Sequence, residues 1–306
     1  MYSLNLDTNH LEIISEYWRR EHLILVEVEP HVVQNVNTFT FFHLSVTKKL
    51  FWRKTMPKLM PTDDMQVADI PGGGNFQFSA IRPDKLGATE YTLVSVITDI
   101  TGSVSGFEKD LSSCLKATIG ACRKSPRAEN LLFRYVTFNS RVGVNEVHGF
   151  KPLSLIDDSQ YNIKNNDCDG TTNLFDAVYE GIGATLTYAK SLTDQDFNVN
   201  GAIYILTDGD NNASKFATPA KIKKLLEGVK NEEMIESLIV VLVGINAQTF
   251  NAKLAVFQQD AGLTQFVDAG DATAQRLAKL AQFVSKSISS QSQALGSGAP
   301  SQPLQF

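Results

Sequence analysis

An acid followed at alternate positions by two hydroxyls, as in Asp99-Ile100-Thr101-Gly102-Ser103, can turn three oxygens into one cavity if the turn follows the last residue of a strand. Two more segments offer the same atoms, Asp169-Gly170-Thr171-Thr172-Asn173 and Thr207-Asp208-Gly209. None of the three contains Cys or His, so together they present only hard oxygen ligands, the kind that Mg²⁺, Mn²⁺ or Ca²⁺ accept. An octahedral Mg²⁺ with bonds of about 2.1 Å needs six oxygens and gives up its waters reluctantly. Protein groups then fill part of its shell and leave room for an incoming ligand. The chemistry indicated is metal-dependent binding or metal-assisted reaction.

Strands and helices must bring the segments together. Near-continuous apolar runs occur at Leu93 to Ile97, Leu131 to Phe138, Ala202 to Leu206, Leu238 to Val243 and Phe266-Val267, as expected of strands buried on both faces. Between them apolar residues recur at helical spacing from Phe107 to Cys122, Leu174 to Leu186, Ile222 to Val229 and Leu277 to Ile288. The alternation predicts an α/β fold, a doubly wound, mostly parallel central sheet flanked by helices, in which ligands sit beyond the carboxyl ends of the strands. Asp99 and Asp208 each close an apolar run, and Thr172 opens a helix, so all three converge on one rim. Residues Val142 to Ile156 read as a short antiparallel edge hairpin. The final helix is expected over Ala272 to Ser289.

The ordered set of motifs resembles the von Willebrand factor A domain with its metal-ion-dependent adhesion site. That family's pattern is Asp-x-Ser-x-Ser, then a Thr in a Gly-Thr-x-Leu-x-Asp-Ala context, then Asp-Gly after a buried strand. Here the elements read Asp99-Ile100-Thr101-Gly102-Ser103, Thr172-Asn173-Leu174-Phe175-Asp176-Ala177 and Leu206-Thr207-Asp208-Gly209. The resemblance covers about Tyr91 to Ser290. Thr101 stands where the family has its first serine, keeping the hydroxyl and adding a methyl group. Thr171 replaces the usual glycine and is a second candidate ligand, although Leu174, Asp176 and Ala177 set the register in favour of Thr172. The resemblance implies a Rossmann-like sheet and a metal site of Asp99, Thr101, Ser103, Thr172 and Asp208. Thr101, Ser103 and in some states Thr172 would touch the metal, with Asp99 and Asp208 holding its waters. It implies Mg as the cofactor, with Mn or Ca as alternatives, and a protein partner whose Asp or Glu completes the coordination. Intracellular bacterial relatives of this type work with MoxR-type AAA+ ATPases or in stress and conflict assemblies, so an adaptor role follows from the resemblance.

Other readings of the same residues are blander. Asp99 or Asp208 alone reads as a helix cap; joined by Ser103 and Thr172 they read as a metal site. The run Asp208-Gly209-Asp210-Asn211-Asn212 lacks the position-twelve glutamate of an EF-hand and reads as a solvated loop with Thr207 as a turn hydroxyl. His148 reads as a surface residue of the hairpin. Lys221, Lys223, Lys224 and Lys230 decorate the solvated face of a helix. A Mg²⁺-dependent hydrolase or phosphotransferase with Asp99 as nucleophile is the reading from a different class. A phosphatase of the haloacid-dehalogenase type would want an acid where Thr101 stands, and no Walker lysine or nucleophile-elbow serine is present. Binding is therefore favoured over catalysis.

The 306 residues, 43% of them hydrophobic, supply a core with ease, and the net charge of -5 offers no broad attraction to nucleic acid or acidic membranes. Cys114, Cys122 and Cys168 lack metal-ligand spacing. Their odd number, with the first two reading as helix core, suits a reducing compartment. Asp7, Glu12, Glu16, Arg19 and Arg20 make the N-terminus unlike a signal peptide, and no apolar run approaches the ~20 residues of a membrane helix. A cytoplasmic location is expected. The sequence divides into an N-terminal extension and linker of unknown fold over 1–90, the metal-binding domain over 91–290 and a flexible tail over 291–306. Pro57, Pro61, Pro71 and Gly72-Gly73-Gly74 punctuate the linker. The extension is either a small helical or hairpin appendage packed on the sheet or upstream sequence that is not part of the native fold, with translation starting among Met56, Met60 and Met65.

Overall fold

The computed structural model describes residues 64–232, 235–299 and 302–306. Its strands are β1 (Met65–Asp69), β2 (Gln77–Ile81), β3 (Glu90–Asp99), β4 (Leu131–Asn139), β5 (Gly143–Pro152), β6 (Asn198–Thr207), β7 (Ser237–Ile245) and β8 (Gln265–Gly270). The helices are α1 (Glu108–Arg123), α2 (Leu174–Thr193), α3 (Pro219–Glu232), α4 (Asn251–Ala261) and α5 (Ala274–Ser297). One eight-stranded sheet holds them in the order β1-β2-β5-β4-β3-β6-β7-β8. The β4-β3-β6-β7-β8 block is wholly parallel, and β5 runs antiparallel to β4. This is the doubly wound, mostly parallel sheet that the alternation of runs predicts.

Each central strand is apolar on both sides because each side has its own helical layer. In β3, Leu93 and Ile97 face a core shared with α2 and α4, while Val94 and Val96 face one shared with α1 and α5. Ile203 and Ile205 of β6 join the first core, and Ala202, Tyr204 and Leu206 the second. Such two-sided burial fixes the strand register, since a slip by one residue would exchange the two faces. Cys114 and Cys122 lie on the buried side of α1, where burial pushes both thiols up to about 12. They are free thiols, as is Cys168.

Across its strands and helices, the structure departs from the sequence reading in five places. Residues 65–81, within the expected extension and linker, form the β1–β2 hairpin of the main sheet, with Pro71 to Gly74 in its turn. β5 therefore is not an edge, because β2 pairs with its outer side at Ala80 and Phe150. His148 is buried instead of exposed: Nε2 pairs with the Tyr161 hydroxyl at 2.7 Å and Nδ1 with the Gly149 carbonyl at 2.9 Å. Burial holds that imidazole neutral, with its pKa down at about 3. α4 is absent from the expected helices because it has no clear apolar stripe: Leu254, Phe257 and Ala261 face inward while Val256 faces solvent. The last departure is α5, which continues to Ser297 because Ser287, Gln291 and Ser292 are buried, so small polar residues serve as its inner face.

The expected flexible tail is helical as far as Ser297, and beyond it Leu304 and Phe306 pack against the α1–α5 core. Residues 1–63 lie outside the described residues, and with them Met56, Met60, Pro57 and Pro61. Among the described residues no helix is long and apolar enough to cross a membrane.

Candidate metal centre

Asp99 is the last residue of β3 and Thr207 the last of β6, the next strand, so the two side chains stand next to each other at the carboxyl edge. Thr207 Oγ1 donates to Asp99 Oδ2 at 2.6 Å, and the Thr101 backbone N–H donates to Asp99 Oδ1 at 2.9 Å. The chain then turns through Gly102–Val104, a single turn of 3-10 helix, which brings Ser103 back toward Thr101. Thr101 Oγ1 and Ser103 Oγ lie 3.1 Å apart, and Ser103 Oγ donates to Asp208 Oδ1 at 2.9 Å. Four of the five residues proposed from the sequence thus form one cluster linked by hydrogen bonds.

Thr172 joins through the backbone. Its carbonyl accepts from the N–H groups of Asn212 and Ala213, both at 2.9 Å, and its own N–H donates to the Asn212 side chain at 2.7 Å. Its hydroxyl faces the Asp208 turn, because a Cβ placed on Gly209 would stand 3.4 Å from Thr172 Oγ1. Thr171 points elsewhere: its hydroxyl and its N–H both donate to Ser140 Oγ, at 2.9 and 2.8 Å, on the exposed side of the loop. Of the two threonines, the one in register with Leu174 and Asp176 is the one at the site.

Among the described residues, the cluster holds two acids that form no ion pair with a cationic side chain. Burial pushes Asp99 up to about 7, and the nearby charge of Asp208 adds to the effect, against the hydrogen bonds from Thr207 and Thr101. Asp208 is also raised, chiefly by burial, with the Ser103 hydrogen bond opposing. Among the described residues no Lys or Arg forms an ion pair with either acid: Arg141 is bound to Asp169 and Lys253 to Asp210, both at the rim. Next to Thr172, Asn173 keeps a buried side-chain oxygen without a partner. Among the described residues no three His, Cys, Asp or Glu side chains gather as a metal cluster, so an ion here would depend on hydroxyl oxygens as well as the two acids. Two uncompensated carboxylates, three hydroxyls and no sulfur or imidazole fit a hard divalent cation.

Several residues that build the site were not singled out by sequence reasoning as doing so. Thr207 orients Asp99 as well as bonding within its own turn. The Asn211 and Asn212 side chains tie the Asp208 loop to the start of α2, Asn211 Oδ1 accepting from Phe175 N at 3.3 Å. Asp176 receives the backbone N–H groups of Lys215, Phe216 and Ala217 at 2.9, 3.0 and 2.7 Å. The Asp208-Gly209-Asp210-Asn211-Asn212 run is accordingly a fixed wall of the site rather than a solvated loop. Its polar composition was visible in the sequence; its partners, about 40 residues away, were not.

No protein-family model matches the chain, and no curated protein is similar to it in sequence. Among solved structures it is similar to the PilB minor pilin from Streptococcus sanguinis, at 16% identity and a TM-score of 0.49, over 72% of this chain and 66% of the pilin. It is similar to proximal thread matrix protein 1 from the mussel byssus, described with a zinc occupied MIDAS motif, at 16% identity and a TM-score of 0.43, over 66% of this chain and 46% of that one. A third is the vWF domain of the type V pili tip protein Mfa5 from Porphyromonas gingivalis, at 11% identity and a TM-score of 0.39, over 66% of this chain and 97% of that one. The chain spans just under two thirds of the pilin and under half of the byssus protein. The site described above rests on this chain's own geometry.

Proposed function

We propose that this protein is a metal-dependent protein-binding module, holding Mg²⁺ at Asp99, Thr101, Ser103, Thr172 and Asp208 and binding a partner through an Asp or Glu side chain of that partner. The observation that supports it best is the pair of buried acids, Asp99 and Asp208, with no ion pair to a cationic side chain among the described residues and with Thr101 and Ser103 between them. When bound, the cation supplies a concentrated positive charge that the two acids neutralise only in part if they hold it through water, leaving it attractive to an external carboxylate.

The chain's own residues orient the ligands. Thr207 and the Thr101 N–H fix the Asp99 carboxylate, and the Thr172 loop fixes the turn that carries Asp208. Binding is preferred to hydrolysis because both Asp99 oxygens accept hydrogen bonds and the residue is only 1% exposed, a poor position for a nucleophile. A reducing, cytoplasmic setting goes with this reading, supported by three free thiols. The partner class is a protein presenting Asp or Glu, with a MoxR-type AAA+ ATPase the first candidate that the resemblance suggests, in an adaptor role.

Calorimetric titration with Mg²⁺ and Mn²⁺ tests the site. The wild-type chain should bind one ion, and at a metal concentration a hundred times Kd should gain about 2.7 kcal/mol of stability. The Asp99→Ala, Asp208→Ala double variant should lose both effects. Unchanged affinity in that variant would sink the assignment.

A further inference from the structure

The glycine-rich turn that looks like a linker in the sequence lies on the metal face. β1 is antiparallel to β2, β2 parallel to β5, β5 antiparallel to β4 and β4 parallel to β3, so β1 and β3 run in the same direction. The turn after β1, residues 70–76, is therefore at the same end of the sheet as Asp99. It is anchored on α2. Ile70 nests over Gly183, where a Cβ would come within 2.5 Å of Ile70 Cγ2, and the Tyr179 hydroxyl donates to the Gly72 carbonyl at 3.3 Å.

From this anchor the Phe76 ring meets Phe216 edge-on, with centroids 5.6 Å apart and planes at 87°. Tyr179 also meets the Phe216 ring, at 5.2 Å and 74°. Edge-to-face packing of this kind is directional, so it fixes the orientation of a ring as well as burying it. Phe216 belongs to the loop that begins at Asp208. Thr172 holds that loop at Asn212 and Ala213, Asp176 holds it at Lys215 to Ala217, and the two rings hold it at Phe216.

We propose that Phe76 and Phe216 are positioning residues for the metal site, and that the β1–β2 hairpin is thereby a working part of the site rather than a sheet extension. The inference builds on the reading of Asp208 as a group of the metal shell. Outer residues that orient a metal's ligands commonly change affinity without touching the ion.

The test uses the full chain and two readouts. Amide hydrogen exchange across residues 208–217 is followed without metal, and Mg²⁺ affinity is measured by calorimetry. Phe76→Ala should speed exchange in the loop and weaken Mg²⁺ binding about fivefold, Phe216→Ala should do so at least as strongly because it also removes the Tyr179 contact, and the double variant should be no worse than Phe216→Ala alone. Phe78→Leu is the control. Phe78 lies in the same hairpin but packs on Phe150 and Tyr188, so its substitution should lower stability while leaving loop exchange and Mg²⁺ affinity unchanged. Phe76→Leu, which keeps apolar volume but no ring, carries the same expectation if the alanine variant does not fold. Loop exchange and affinity unaltered by loss of the Phe76 ring, or altered equally by Phe78→Leu, would overturn the proposal. If the wild-type chain binds no Mg²⁺, the metal reading fails, and loop exchange still decides whether the hairpin positions Asp208.

Discussion

Asp99 concentrates the chemistry of the site in one titration. Its folded pKa, about 7, lies above the ordinary value of 3.8, so between those pH values the folded chain binds more protons than the unfolded one. Stability from this group is therefore present at low pH and lost as pH rises through 7, with a slope approaching about 1.4 kcal/mol per pH unit for one proton. His148 acts in the opposite sense: with its pKa down at about 3, its contribution is present above the unfolded value near 6.5 and is lost as pH falls. Comparing the wild type with Asp99→Asn cancels the histidine. In metal-free buffer the stability of wild type relative to the variant should fall from pH 4 to pH 7, and saturating Mg²⁺ should restore it at the upper end. Urea unfolding across that range gives the answer, and parallel curves for the two proteins would contradict the buried, uncompensated acid. Residue type and local spacing mark Asp99, Thr101, Ser103, Thr172 and Asp208 in the sequence, and the fold brings them to one rim of the sheet. Thr207 and Asp176 are not so marked, since their roles depend on partners 108 and about 40 residues distant that only the folded sheet brings close.

Among the elements, α5 shows what periodicity catches and what it misses. Its first half carries Leu277, Leu280, Ala281, Val284 and Ile288 on the buried face, an apolar stripe plain in the sequence. Its second half buries Ser287, Gln291 and Ser292, and Asn200 of β6 donates to the Gln291 carbonyl at 2.8 Å. Side-chain oxygens of Asn200 and Gln291 remain buried there without partners, so this seam adds little net stability. The returning C-terminal segment compensates. The Gln302 carbonyl accepts from Gln291 Nε2 at 3.0 Å, and Phe306 packs edge-on against Phe283 with Lys279 Nζ 4.4 Å from its ring centroid. Phe306→Ala should therefore cost about 1–2 kcal/mol, since the ring is only partly buried, and should speed exchange in the second half of α5 more than in the first. Uniform exchange along the helix would show that the segment does not brace it. Composition marked this segment as a tail because Ser, Gln, Gly and Pro carry no pattern; the two apolar residues that matter, Leu304 and Phe306, are too few to make one.

At the scale of the whole molecule, the described part of the chain closes its own core. Both faces of the sheet are covered, by α2, α3 and α4 on one side and α1 and α5 on the other, and the hairpin adds Ile70, Phe78, Ala80 and Ile81 to the first of the two cores. A buried ion cluster ties the hairpin in. The Arg134 guanidinium is shared between Glu146 and Glu180, and Glu146 in turn accepts from the Ser79 N–H at 2.9 Å and the Ser79 hydroxyl at 2.6 Å. Removing one member of such a cluster leaves a charge buried without its partner, which is far more costly than loss of an exposed pair. The hairpin therefore belongs with the domain, and a cut through it should be damaging. A cut just before Asp64 should not be, because the nearest retained contacts, Arg82 N to the Asp64 carbonyl at 2.8 Å and Lys85 to the Asp64 carboxylate at 3.1 Å, stay within the fragment. A chain of residues 64–306 should thus unfold cooperatively, keep its near-UV circular dichroism and bind Mg²⁺ with the affinity of the full chain. A chain of residues 83–306, lacking β1 and β2, should lose cooperativity, since Glu146 would lose Ser79 and both Phe150 and Tyr188 would lose Phe78. Should the longer fragment prove molten, the first 63 residues contribute to its core; should the shorter one fold as well as the longer, the hairpin is dispensable to the sheet.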